Sequence, residues 1–129
     1  TLTGSVRVAL GDDYAGLFAN DETLAAQVIA AGDRANEPVW RLPIHASVFK
    51  DIESKVADVR NVVEGTGLPG ASIGAAFIQE WVKPETRWAH LDIAGMAWNT
   101  TASPTVPEGA VGYGVRLFDQ VVRAIAEQE

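Results

Sequence analysis

Trp88-Ala89-His90-Leu91-Asp92-Ile93-Ala94-Gly95-Met96-Ala97-Trp98 is the stretch whose reading decides the fold. In an extended chain side chains alternate, so Leu91 and Ile93 point one way and His90, Asp92 and Ala94 the other. Neither side is a solvated polar face, so both need covering. A strand covered on both faces is expected to be a central strand of an α/β sheet with helices on either side. The small residues Ala94, Gly95 and Ala97 leave open space at its C-terminal end, where open α/β sheets bind ligands.

Upstream of this strand, residues 71–82 read as a helix: Ile73, Phe77 and Trp81 recur at helical spacing and Pro84 stops it. Gly65 to Gly70 is a flexible loop. Val56 to Val63 alternates apolar and polar residues and predicts a strand. Residues 44–54 predict a short helix with Val48, Phe49 and Ile52 inward, and Val39 to Leu42 a short extended piece stopped by Pro43. Asn20 and Asp21 are candidate N-caps for an amphipathic helix over 21–31, with Leu24, Val28 and Ala31 on one face and Gly32 as its stop. Gly11-Asp12-Asp13 is a turn; the apolar, small run from Ser5 to Leu10 does not distinguish helix from strand by periodicity. Downstream, Thr100 to Gly112 predicts a long surface loop. A closing helix from about Gly114 carries Phe118, Val121, Val122 and Ile125 as one stripe.

The chain has 129 residues, enough for one domain that buries roughly two-thirds of its unfolded surface. Its net charge of −7 argues against nucleic acid, because phosphate binding needs a basic face. It has no cysteine, hence neither disulfides nor a thiolate metal site. No apolar run reaches the length of a membrane span and no signal peptide is seen, which fits a cytoplasmic setting.

Several motifs invite chemistry and have plainer readings. The glycine-rich segment 65–70 lacks the Lys-Ser/Thr ending of a phosphate-binding loop. His45, His90, Asp58 and Asp92 are imaginable metal ligands, yet no pair of histidines shares a helical face. His90 and Asp92 share a strand face, where a hydrogen-bonded histidine is more often structural. Thr1 has the form of an N-terminal nucleophile, whose free amine would activate the hydroxyl.

Taken together, Trp-Ala-His-Leu-Asp-Ile-Ala-Gly at 88–95, Thr-Leu-Thr-Gly at 1–4 and Val-Trp-Arg-Leu-Pro at 39–43 resemble the leucyl aminopeptidase family, peptidase family M17. Ala57 to Asn61 and the closing Gly-Tyr-Gly-Val-Arg-Leu run at 112–117 fit in register, so the resemblance covers essentially the whole chain. It implies a mixed sheet flanked by helices on both faces, part of a zinc-exopeptidase-like catalytic domain, with residues 1–129 as its C-terminal portion. It also makes Ser5 to Leu10 a helix and Tyr14 to Ala19 a strand, and it makes Thr1 an internal residue of a longer parent.

The family removes N-terminal, large apolar residues from peptides with two divalent metal ions, manganese or zinc, and assembles as a homo-hexamer. Its metal ligands lie in an Asn-Thr-Asp-Ala-Glu-Gly-Arg block and a Lys/Asp motif that are not found here. The chain is therefore expected to hold no catalytic residue and no metal, and to be inactive alone. By resemblance it supplies pocket walls. Thr1 and Gly4 border the first side-chain pocket, the Leu2 carbonyl takes the substrate amine, Ala94, Met96 and Ala97 line the far wall, and Val62 lies near the second residue. The small, apolar floor suits a cavity for Leu or Met. Two alternatives stand beside this. Ala94, Gly95 and Ala97 could serve close helix packing only, and the chain could be a non-enzymatic binding or assembly module.

Overall fold

In the computed structural model, which describes residues 1–127, three short strands form one mixed sheet. The elements run α1 (Gly4–Leu10), β1 (Ala15–Ala19), α2 (Glu22–Ala35), β2 (Val39–Arg41), α3 (Ala46–Asp51), α4 (Gly70–Gln79), β3 (Ala89–Asp92), β4 (Trp98–Asn99), β5 (Gly109–Ala110) and α5 (Val115–Ala126). The sheet order is β2-β1-β3, with β1 parallel to β2 and antiparallel to β3. The central strand is thus β1, and β3 lies at its side, contrary to the expectation that the 88–94 strand is central. Both of its faces are covered all the same. Ala15 and Leu17 of β1 pack with Ala25, Val28 and Ala31 of α2 and Leu117 and Val121 of α5. On the other face Phe18 packs with Val6 of α1 and Ala71 and Ala75 of α4. A Cβ at Gly16 would stand 2.8 Å from Val6 Cγ2, so glycine lets α1 sit directly on the sheet.

Local signals set most helix ends. The Asp21 side chain accepts the Leu24 N–H at 2.7 Å and caps α2. Asn20 acts elsewhere. Its side chain donates to the Thr86 carbonyl and accepts the Trp88 N–H, clipping the start of β3 to the end of β1. Helix α2 runs past Gly32 to Ala35, and Asn36, at φ 53°, closes it in the left-handed conformation. Gly32 is there for close approach, since a Cβ would lie 2.7 Å from the Glu37 carbonyl oxygen.

Five further expectations need correction. The 44–54 helix shrinks to α3, because His45 caps it through Nδ1 and Ile52 ends it. No strand forms over 56–63: the Ser54 hydroxyl accepts the Val56 and Ala57 N–H groups, and one bridge, Glu53 to Val59, is all that pairs. Local side-chain bonds of this kind outcompete a ladder that has no partner strand. The alternation survives as packing: Val59 and Val63 lie on the α3–α4 cluster, while Val56 and Val62 face solvent. Helix α4 stops at Gln79, leaving Trp81 exposed in the following turn; its inward face is Ala71, Ile73, Ala75 and Ala76. In α5 the buried residues are Leu117 and Val121, and Phe118 and Val122 are exposed. The 100–112 segment is not all loop, since β4 and β5 pair across it.

Candidate functional site

The N-terminal segment lies along the outer side of β3. The Thr1 amine donates to the Leu91 carbonyl at 3.0 Å, and the Ile93 N–H donates to the Thr1 carbonyl at 2.9 Å. This is the bonding pattern of a parallel pair. Thr1 therefore stands opposite Asp92, and the sheet edge that β3 would expose is partly covered.

Asp92 decides where the chain turns next. Its carboxylate is fully buried, and a buried carboxylate needs hydrogen-bond donors. It finds them in Thr3: the N–H donates to Oδ1 at 3.0 Å and the hydroxyl to Oδ2 at 2.5 Å. The Ala94 N–H adds a longer bond of 3.4 Å to Oδ1. Thr3 Oγ1 in turn accepts the Val6 N–H at 3.1 Å and caps α1. One threonine thus ties β3 to the first helix.

His90 sits on the same strand face. Its ring is stacked on Trp88, with centroids 5.8 Å apart and planes at 9°, and lies beside Phe18. Nε2 is 2.8 Å from Thr1 Oγ1. Burial, then the nearby amino terminus, pull its pKa down to about 4, against the opposing pull of Asp92. At neutral pH the imidazole is uncharged, with one donor and one acceptor nitrogen.

A cleft of about 910 Å³ lies beyond the C-terminal end of β3. Ala94, Gly95 and Met96 line it, with Arg7 and Asp12, and Trp98, Asn99, Tyr113 and Arg116 belong to its other walls. Gly95 is fixed by contact: a Cβ there would collide with the Gly11 carbonyl oxygen. Across the cleft Glu37 organises α5. That helix opens on Gly114, which has no capping side chain. The buried Glu37 carboxylate takes over, accepting the Gly114 N–H at 3.2 Å and the Leu117 N–H at 2.8 Å and pairing with Arg116. The Tyr113 hydroxyl donates to the Glu37 and Pro38 carbonyls; burial and the Glu37 charge raise its pKa.

The structure thus fastens Thr1 and Thr3, with Leu2 between them, beside β3 and places Ala94 and Met96 on the cleft, whose lining does not include Thr1, Leu2 or Gly4. Ala97 is half-buried and is not part of that lining. Val62 is 66% exposed on the irregular segment between α3 and α4, apart from the cleft lining. The metal candidates separate. His45 caps α3, Asp58 is exposed, and His90 and Asp92 are engaged by Thr1 and Thr3. Among the described residues no three His, Cys, Asp or Glu side chains come together as a metal site, so the described residues by themselves do not fit a pair of metal ions. Sequence reasoning missed Thr3 and Glu37. Thr3 had a signal, a threonine just before a helix, whereas nothing local marks Glu37 as buried.

Residues 1–118 match the family model described as the cytosol aminopeptidase family, catalytic domain. The chain belongs to that family. It is 46% identical over 123 residues to the cytosol aminopeptidase of Rickettsia prowazekii (strain Madrid E), covering 95% of this chain and 25% of the relative. A probable cytosol aminopeptidase of Caulobacter vibrioides is 50% identical over 124 residues, again 95% of this chain and 24% of the relative. The chain therefore spans about a quarter of the length of the curated relatives it matches. Among solved structures, the bottromycin maturation enzyme BotP in complex with Mn superposes with a TM-score of 0.87 at 37% identity, covering 97% of this chain and 27% of that one. A tomato leucine aminopeptidase point variant gives 0.80 at 37% identity, over 94% and 23%. The α/β fold with a mixed sheet is that of the leucine aminopeptidase catalytic domain. Among the described residues no helix is long and apolar enough to cross a membrane.

Proposed function

We propose that this chain is the C-terminal portion of the catalytic domain of a cytoplasmic metallo-aminopeptidase. It supplies walls of the pocket for the substrate's first side chain. The parent takes large apolar N-terminal residues from peptides and works as a homo-hexamer. Its two divalent ions, manganese or zinc, are held by residues outside this chain, and no catalytic step is assigned to residues 1–129.

The observation that carries this reading is the double tie of Thr1 and Thr3 to His90 and Asp92. It fastens the Thr1 to Thr3 segment to the strand that runs on into Ala94, which supports reading the two as neighbours in one pocket wall. In the wall reading Thr1 and Gly4 border the cavity, the Leu2 carbonyl receives the substrate amine, and Ala94, Met96 and Ala97 form the far side. Val62 would then meet the second residue. Gly4 has open space where its Cβ would be, as a pocket border requires.

Ala94→Phe in the intact enzyme tests this. The added ring should fill the cavity, so peptides starting with Leu or Met lose binding while those starting with Gly or Ala are spared. Equal loss for all substrates would refute the pocket assignment.

A further inference from the structure

The turn that follows β3 is seated on three different supports. The Met96 N–H donates to the Ile93 carbonyl at 2.9 Å, which closes a four-residue turn with Ala94 and Gly95 at its corner. Ala94 packs with the Phe18 cluster under α1 and α4, and Met96 with the cluster under α2 and α5. Gly95, between them, meets the Gly11–Asp12 corner, where α1 passes into β1.

Both residues of that contact are glycines, for different reasons. Gly11 has φ 64°, a conformation that residues with side chains avoid, and its N–H returns to the Arg7 carbonyl at 2.8 Å to close α1. Gly95 lies outside the left-handed region, so its conformation does not call for glycine. What excludes a side chain is the neighbour: a Cβ would collide with the Gly11 carbonyl oxygen and come within 3.2 Å of Asp12 Cα. These are backbone atoms, which cannot swing aside as the end of a side chain can. The corner is braced in turn by Asp12, whose carboxylate accepts Arg7 Nε and Nη2 at 2.9 and 3.0 Å. Such a forked pair fixes direction as well as distance.

A contact of backbone on backbone sets a hard limit on how near the turn lies to the corner. Ala94 and Met96, one residue to either side, are held at the same setting, and both line the cleft with Arg7 and Asp12. The contact lies within this chain, so no other part of a longer parent comes between its two sides.

We infer that the Gly11–Asp12 corner is a specificity-determining element: by seating Gly95 it fixes the wall at Ala94 and Met96, and with it the size of first side chain that is accepted. The inference rests on the pocket reading above. It assigns the corner no contact with the first side chain and no step of the reaction.

The test uses the intact aminopeptidase and the anilides of leucine, alanine and glycine, with kcat/KM compared as ratios. In Gly95→Ala the turn must leave the corner, and Ala94 and Met96 with it. A wall displaced in either direction fits leucine worse, whereas glycine does not reach it. The leucine-to-glycine ratio should fall about tenfold or more, the low end of what one methylene of fit contributes in an apolar pocket. Alanine should lie between. Asp12→Ala adds no atom and only frees the corner, so its ratio should fall about two- to fivefold, the reach of one such ion pair. The double variant should lose less than the product of the two, because both act through one contact. A merely structural lesion lowers all three anilides alike and leaves the ratios where they were. An unchanged ratio in Gly95→Ala, or a double variant that loses the full product, overturns the proposal. If Gly95→Ala does not fold, Asp12→Ala decides alone, and an unchanged ratio there overturns it. Ala94→Phe separates the two readings. Size-selective loss there with unchanged ratios in the corner variants leaves the pocket and removes the corner's role. Size-blind loss there removes the pocket, and this inference with it.

Discussion

Replacing Asp92 is the sharpest test of how the segment is built. In Asp92→Ala three donors lose their acceptor: the Thr3 N–H at 3.0 Å, the Thr3 hydroxyl at 2.5 Å and the Ala94 N–H at 3.4 Å. Hydrogen bonds to a charged group contribute about 1.5–3 kcal/mol each. Thr3 is half-buried, so water reaches part of what is left, and the low end of that range applies to its two bonds. The long Ala94 bond adds little. The expected cost is therefore about 3 kcal/mol. Asp92→Asn should cost less. Its oxygen can still take the Thr3 and Ala94 N–H groups, while its amide donates to Thr3 Oγ1, which has a second lone pair beside the one used by Val6. Only the threonine hydroxyl proton loses its acceptor, at about 1 kcal/mol. Urea unfolding followed by tryptophan fluorescence and circular dichroism measures both. An alanine variant that loses under about 0.5 kcal/mol, the range of an ordinary surface change, would refute the reasoning. So would asparagine and alanine variants of equal stability.

Glu37→Ala should cost about 3 kcal/mol, since two α5 N–H groups and Arg116 lose one buried carboxylate. Hydrogen exchange should report it first at Leu117, and unchanged protection there would remove the remote cap. For pH, the unfolded chain takes up the His90 proton near 6.5 and the folded chain only near 4, so acidification across that window should favour unfolding. His90→Phe should flatten this part of the stability curve; an unchanged slope would assign it to other groups. The isolated 129-residue chain leaves Trp40, Trp81, Trp98 and Phe118 more than half exposed and should self-associate. A monomer in sedimentation that binds no hydrophobic dye would contradict this.

Much of the fold was legible because short-range rules govern it. Asp21 before an apolar helical stripe, Gly11 after α1 and Pro84 after α4 act through neighbours a few residues away, and the structure keeps these boundaries to within a few residues. The failures have a common cause, which is partners that lie far along the chain. Strand β3 is flanked by β1 and by Thr1, and no pattern inside 88–98 says which neighbour lies on which side. The alternation at 56–63 was real but had no strand to pair with. In α5, Leu117 faces inward with Val121 because Glu37 fixes the start of the helix; the periodicity of its apolar residues fits a stripe through Phe118 and Val122 as well.

The site shows the same division more sharply. Along 88–98 the two faces fall as the alternation predicts: Leu91 and Ile93 pack towards α2 and α5, while His90 and Asp92 turn to the other side. A buried aspartate on such a face demands donors, and this demand could have been stated from the sequence. Its answer could not, because Thr3 is 89 residues away from Asp92. What composition supplies is the need, and what topology supplies is the partner. The polar pairs that shape this site, Asp92 with Thr3, His90 with Thr1 and Glu37 with α5, each join residues more than 70 positions apart. Each closes a long loop, so its entropic cost is met by the apolar core that brings the strands together. The placement of Thr1 and Thr3 is therefore a consequence of the sheet. A substitution that weakens β1 packing, such as Gly16→Val against Val6 and Leu42, should displace Thr1 and Thr3 together even though it touches neither.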